Sequence, residues 1–119
     1  MSWKEVFAKG EEIVLVTYSV ESGPHANVVI SRGYAGDDIL INDCQMSTTI
    51  ENLQKSSEAC LIGKKDKEYY RLKGKVGVYS EGEYFDTAKE REVDYDVKNA
   101  IVFKIDNIFD LDKVEAVGK

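Results

Sequence analysis

Between Asp38 and Leu53 the chain reads D-I-L-I-N-D-C-Q-M-S-T-T-I-E-N-L: a short apolar stretch, a polar turn, then three hydroxyl residues that open a helix. The first turn of a helix carries backbone N–H groups without partners inside the helix, and the aligned peptide dipoles leave partial positive charge there. Ser47, Thr48 and Thr49 would add hydroxyl donors to such a site, which together make a seat for an anion such as a phosphate. A helix cap accounts for the same residues. Thr48-Thr49-Ile50-Glu51 has the T-x-x-E form of a capping box, in which Thr48 and Glu51 satisfy the free donors without any ligand. Every helix needs a cap and few bind phosphate, so on this stretch alone the cap is the more economical reading.

The surrounding sequence indicates what must hold this turn in place. Ser2 and Glu5 form an S-x-x-E start for a helix over 3–9, with Gly10 as its left-handed stop. Residues 12–20 are dense in β-branched and aromatic types, and Glu21-Ser22-Gly23-Pro24 turns the chain into a second strand over 25–32, which makes a hairpin. A turn at 33–37 leads to Ile39-Leu40-Ile41, apolar throughout and therefore expected to be covered on both faces.

A helix over 49–56 follows, then a strand over 58–63, and Lys64-Lys65-Asp66-Lys67 reads as a solvated turn. From Tyr69 to Tyr79 the types alternate, with Tyr70, Leu72, Gly74, Val76 and Val78 on the core face, while Gly74 and Gly77 mark bulges or bends. A third helix is expected over 83–92, packing Phe85 and Ala88 on the sheet, then a strand over 100–105 and a short edge piece over 108–111. About six strands and three short helices joined by short turns give a mainly β, α+β fold: a small antiparallel barrel with flanking helices.

At 119 residues and 13.4 kDa the chain suits a single domain spanning 1–119 with one core. Its net charge of −6 and pI near 4.8 repel phosphate backbones, which argues against nucleic acid as a partner. No apolar run is long enough for a bilayer, and the N-terminal stretch is charged too early for a secretory signal, so no membrane role is expected. Two cysteines, Cys44 and Cys60, without an export signal suggest reduced thiols and a cytoplasmic setting. Cys60 reads as a small buried hydrophobe, whereas Cys44 falls in the suspected ligand turn.

Most catalytic templates have no support. A single histidine, His25, beside the only proline reads as a turn or strand-start residue, and two distant cysteines give no metal-ligand spacing, so no metal is expected. The 22 acidic residues are too many to single out a pair for acid–base work, and no catalytic residue is assigned. An organic cofactor would explain a chain so poor in reactive side chains.

Four segments in order, His25-Ala26-Asn27-Val28-Val29-Ile30-Ser31, Ile39-Leu40-Ile41-Asn42, Ser47-Thr48-Thr49-Ile50-Glu51-Asn52-Leu53 and Tyr70-Arg71-Leu72-Lys73-Gly74-Lys75-Val76, carry a resemblance. With its T-x-x-N-L helix start and R-x-K-G strand, the chain resembles the FMN-binding split-barrel family related to pyridoxamine 5′-phosphate oxidase. The resemblance implies a Greek-key split β-barrel and a homodimer with FMN between the subunits. It further implies that Asn27, Val28, Val29, Ile30 and Ser31 run along the flavin ring, that Asn42, Asp43 and Cys44 lie near the ring or ribityl chain, and that Ser47, Thr48 and Thr49 hold the phosphate. Relatives commonly carry a basic residue where Thr48 stands; here Arg32, Arg71 or Lys73 would have to reach over instead. The C-terminal part that binds substrate in true pyridoxamine phosphate oxidases is not matched, so that activity is not expected.

Two functions follow from this reading. One is an FMN-dependent redox protein, an oxidoreductase or flavin reductase acting on a small molecule or electron partner. The other is a non-catalytic binder of flavin, deazaflavin or haem on the same scaffold, suggested by the missing cation at Thr48. A purely structural barrel is the third reading, in which Ser47 and Thr48 serve helix stability alone. No G-x-G-x-x-G fingerprint names an electron donor.

Overall fold

The computed structural model describes residues 2–44 and 46–118. Seven strands and three helices follow one another as α1 (Trp3–Val6), β1 (Glu12–Ser19), β2 (Gly23–Ala35), β3 (Asp38–Asp43), α2 (Ser47–Lys55), β4 (Glu58–Lys65), β5 (Glu68–Tyr79), α3 (Glu83–Arg91), β6 (Asn99–Asp110) and β7 (Glu115–Val117). The strands are ordered β3-β2-β1-β4-β5-β6-β7, all pairings are antiparallel, and a further β3–β6 pairing closes the first six into a barrel. The β3–α2–β4 connection returns the chain beside β1, which is the Greek-key step. The expected antiparallel Greek-key barrel with short flanking helices is therefore the fold, and β7 lies outside the closed ring.

Alternation builds the core. Ile13 and Leu15 of β1, Val29 of β2, Ile39 and Ile41 of β3, Leu61 of β4, Tyr70, Leu72 and Val76 of β5, and Ile101 and Phe103 of β6 all point inward. On β3 and β6 the opposite face is covered too. Leu40, Ala100 and Val102 are fully buried there, together with Ala88 of α3, which packs on both strands. This explains why Ile39-Leu40-Ile41 is apolar without interruption.

At Gly74 the β5–β6 register shifts, and a side chain there would run into the carbonyl oxygen of Lys104, so the bulge requires glycine. Gly77 marks no bulge; its missing side chain instead makes room for the Tyr79 ring.

The structure revises several boundaries. The first helix spans four residues rather than seven, because Val6 and Phe7 drop into the core and no side chain of Ser2 caps it. β2 continues to Ala35 past an irregularity between Ser31 and Tyr34, where Gly33 takes a positive φ of 85°. Residues 108–110 belong to β6, a twelve-residue strand of which ten residues pair with β5, and the short edge strand is β7. Cys60 faces outward opposite Lys73 and is only half-buried, not a core residue. The turn expected over 64–67 is shorter: Lys64 and Lys65 end β4, and only residues 66–67 turn, with Asp66 at a φ of 56°.

Candidate functional site

The expected site residues lie where β2, β3 and the start of α2 meet. Because side chains alternate along β2, Val28, Ile30 and Arg32 project outward while Val29 and Ser31 project into the barrel. Asn42 shares the outer face of β3 with Leu40, beneath the end of α3. A groove of about 210 Å³ runs along this outer surface, lined by Val28, Val29, Ile30, Arg32, Asn42, Cys44, Met46, Glu92 and Tyr95. Five of the eleven expected residues thus share one groove. A second, more open groove of about 740 Å³ adjoins it through Cys44 and Tyr95.

Glu92 organises the floor. It follows the last turn of α3 and draws its carboxylate into the groove, where its side chain is 4% exposed. Arg32 Nη2 donates to both carboxylate oxygens (3.2 and 3.3 Å), Asn42 Nδ2 donates to Oε1 (3.1 Å), and the amides of Val93 and Asp94 donate to Oε2 (3.2 Å each). Burial works to raise the Glu92 pKa, but the bonds from Asn42 and the Asp94 amide, the Arg32 charge and the Val93 amide outweigh it and hold the carboxyl below its usual range. The Cys44 thiol, 3.7 Å from Oε1, is pushed up by burial first and then by Glu92. It is a protonated thiol at neutral pH, not an activated nucleophile.

Asn42 has one further property. Its Nδ2 donates to Glu92 and also to the Ala88 carbonyl (3.1 Å), and two acceptors on that side fix the orientation of the amide. Its Oδ1 is buried and has no partner among the described residues. An orphaned acceptor of this kind costs about 1–3 kcal/mol unless a donor reaches it.

Of the other expected residues, Asn27, Ser31, Asp43 and Thr49 are engaged in hydrogen bonds within the fold. Asn27 Nδ2 donates to Thr49 Oγ1 (2.6 Å), which ties α2 to β2. Asn52 Nδ2 donates to Thr17 Oγ1 (3.1 Å), and Ser22 Oγ donates to Asn52 Oδ1 (2.7 Å), so a polar network fixes α2 to the barrel. The Ser31 hydroxyl donates to the Phe7 carbonyl and accepts from the Gly33 amide. Asp43 accepts from the Met46 amide (2.7 Å) and from Asn99 Nδ2 (2.7 Å).

At α2 the capping box does not form. The helix starts at Ser47 with Met46 as N-cap, no side chain caps it, and its first turn holds no acidic residue. Ser47 is exposed and Thr48 half-buried, and Met46 at the helix start is also a wall of the groove. The groove therefore runs into the uncapped, electropositive end of α2. Asp43 and Glu92 are the nearby carboxylates, each already engaged in hydrogen bonds.

Of the cations considered for the missing phosphate partner, Arg32 is in the groove but paired to Glu92, while Arg71 and Lys73 lie on β5, with β1 and β4 between them and β2. No local pattern marks Glu92, Met46 or Tyr95 as site residues. For Glu92 and Tyr95, approach to Asn42 and Val28 depends on contacts spanning fifty positions or more, as in the Asn42–Glu92 bond. Among the described residues no three His, Cys, Asp or Glu converge as a metal site.

The fold is a small antiparallel split barrel that solved structures share. Similar solved structures include HupZ of Group A Streptococcus (17% identity, 99% of this chain and 100% of that one, TM-score 0.84) and an FMN-binding protein from Syntrophomonas wolfei (22%, 91% and 80%, 0.73). A third, provisionally assigned as a pyridoxamine 5′-phosphate oxidase, comes from Lactobacillus delbrueckii (12%, 82% and 83%, 0.70). No protein-family model and no curated sequence matches the chain.

Proposed function

We propose that this protein is a small homodimeric FMN-binding protein that performs redox chemistry on a small molecule or electron partner. The observation that carries this reading is the unsatisfied Asn42 Oδ1, buried at a groove that ends on the uncapped start of α2. An apolar wall, one orphaned acceptor and an electropositive helix end suit a planar ring bearing N–H donors with a phosphate tail. Val28, Val29 and Ile30 would line the ring, Asn42 would accept from a ring or ribityl donor, and Ser47, Thr48 and the α2 amides would hold the phosphate. FMN would supply the electron transfer, and the chain would supply position and electrostatics.

The groove in one protomer is smaller than the roughly 300–1,000 Å³ of typical cofactor pockets, so a second wall is needed. Val28, Ile30, Tyr18 and Ile62 form an exposed apolar face on β1, β2 and β4 beside the groove. A second copy of the chain across this face would supply that wall. Both cysteines are free thiols, which fits a reducing compartment such as the cytoplasm.

A second reading, binding without turnover, has its own support: the one carboxylate in the groove is saturated with donors and the thiol beside it is held protonated. The test is to titrate purified protein with FMN, a deazaflavin and haem, following absorbance, quenching of cofactor fluorescence and elution volume. Stoichiometric FMN uptake by a dimer is the expected result. Failure to take up FMN overturns the proposal, and preferred uptake of deazaflavin or haem replaces the cofactor. A loaded protein that accepts no electrons from NAD(P)H or a chemical reductant favours binding alone.

A further inference from the structure

Elsewhere on the outer surface of the barrel, β5, β6 and β7 enclose a further recess of about 300 Å³. Its walls are Arg71 and Lys73 of β5, residues 106–109 of β6, and Ala116 and Val117 of β7. Register explains how it forms. Arg71, Phe109 and Ala116 stand opposite one another across three strands, and Lys73 stands opposite Asn107, so their side chains share the outer face. The bulge at Lys73–Gly74 leaves Asp106 without a partner on β5 and spreads the two strands beside Lys73.

Two cations therefore stand side by side in a protein of net charge −6, and neither makes an ion pair among the described residues. Arg71 holds its guanidinium over the Phe109 ring, 5.1 Å from the centroid, a cation–π contact that restrains the side chain. Its Nε is buried and without an acceptor among the described residues. A guanidinium held beside an aromatic ring with a buried, unpaired Nε is preorganised for an oxyanion, because its fork matches carboxylate or phosphate geometry. Asp106, on the same rim, sets a limit: only an anion that reaches both cations overcomes its repulsion.

We infer that Arg71, Lys73 and the Phe109 ring form a binding site for a small organic oxyanion, a phosphate monoester or carboxylate, distinct from the β2–β3 groove. The charged head lies between Arg71 and Lys73, and the organic part rests on the outer face beside Phe109 and Ala116. The site belongs to one protomer and does not depend on FMN binding.

Calorimetric titrations of the full chain at constant ionic strength, with inorganic phosphate, phenyl phosphate and benzoate as probes, test the inference. Phenyl phosphate is expected to bind, with at least tenfold weaker binding in Arg71→Ala and in Lys73→Ala; Lys73 is exposed, so its replacement leaves the fold intact. Arg71→Lys, which keeps the charge and loses the fork, should fall between wild type and Arg71→Ala. Equal affinity for inorganic phosphate assigns the site to the free anion, and equal affinity for benzoate assigns it to carboxylates. Absence of measurable binding by all three probes, or binding unchanged by Lys73→Ala, overturns it.

Discussion

Arg32 and Glu92 stand sixty positions apart in the chain and meet at 3.2 Å on the floor of the β2–β3 groove, where the pair also anchors Asn42 and the amides of Val93 and Asp94. Replacing Glu92 by Gln puts an amide among five donors and leaves the Arg32 charge uncompensated. Because the Arg32 side chain is 19% exposed and partly screened, we expect a loss of about 2 kcal/mol rather than the full value of a buried pair. The folded-state pKa of Glu92 is depressed, so its contribution is present above the ordinary value of 4.5 and is lost as pH falls through the lower folded value. The stability gap between wild type and Glu92→Gln, measured by chemical denaturation, should be full at pH 7 and close in acid below about pH 4.5.

Since no side chain caps α2, Ser47→Ala and Thr48→Ala should change stability by less than about 0.5 kcal/mol. Hydrogen bonds to a charged group are worth about 1.5–3 kcal/mol, so FMN affinity should fall about tenfold or more. Parallel denaturation and fluorescence titrations separate the two effects; a stability loss with unchanged FMN affinity would restore the helix-cap reading.

Thr49→Val keeps the shape of a buried side chain but removes the acceptor for Asn27. The expected cost is about 1–2 kcal/mol. Amide exchange at α2 should quicken more than at β5 or β6, because the bond joins α2 to β2 alone.

At Gly74 even a methyl group collides with the Lys104 carbonyl and sits 2.9 Å from Phe103 Cε1. Both are fixed by the strand ladder and the core. Gly74→Ala should therefore cost more than about 3 kcal/mol, visible as a collapse of the melting temperature.

Burial and the Glu92 carboxylate raise the Cys44 thiol pKa. In a Cys60→Ser background, alkylation of Cys44 at pH 7.5 should run slower than that of a free cysteine, and Glu92→Gln should speed it. Mass-spectrometric labelling rates check the order.

What the sequence determined by itself is what depends on neighbours along the chain. Alternation between Tyr69 and Tyr79 set the faces of β5, the apolar 39–41 run implied a doubly covered β3, and Gly74 marked the bulge, because each signal is a local period or a local steric demand. The segment order of the four motifs led to the split barrel and to the β2, β3 and α2 residues of the candidate site. Only the tertiary structure decided that Thr48 and Glu51 form no cap, that Arg32 is already paired, and that Asn42 keeps one oxygen unsatisfied. These outcomes depend on which strand is brought beside which helix end. Closure of the barrel through β3 and β6, and the packing of α3 across them, bring Glu92 to Asn42, and no local pattern encodes a contact made across fifty residues.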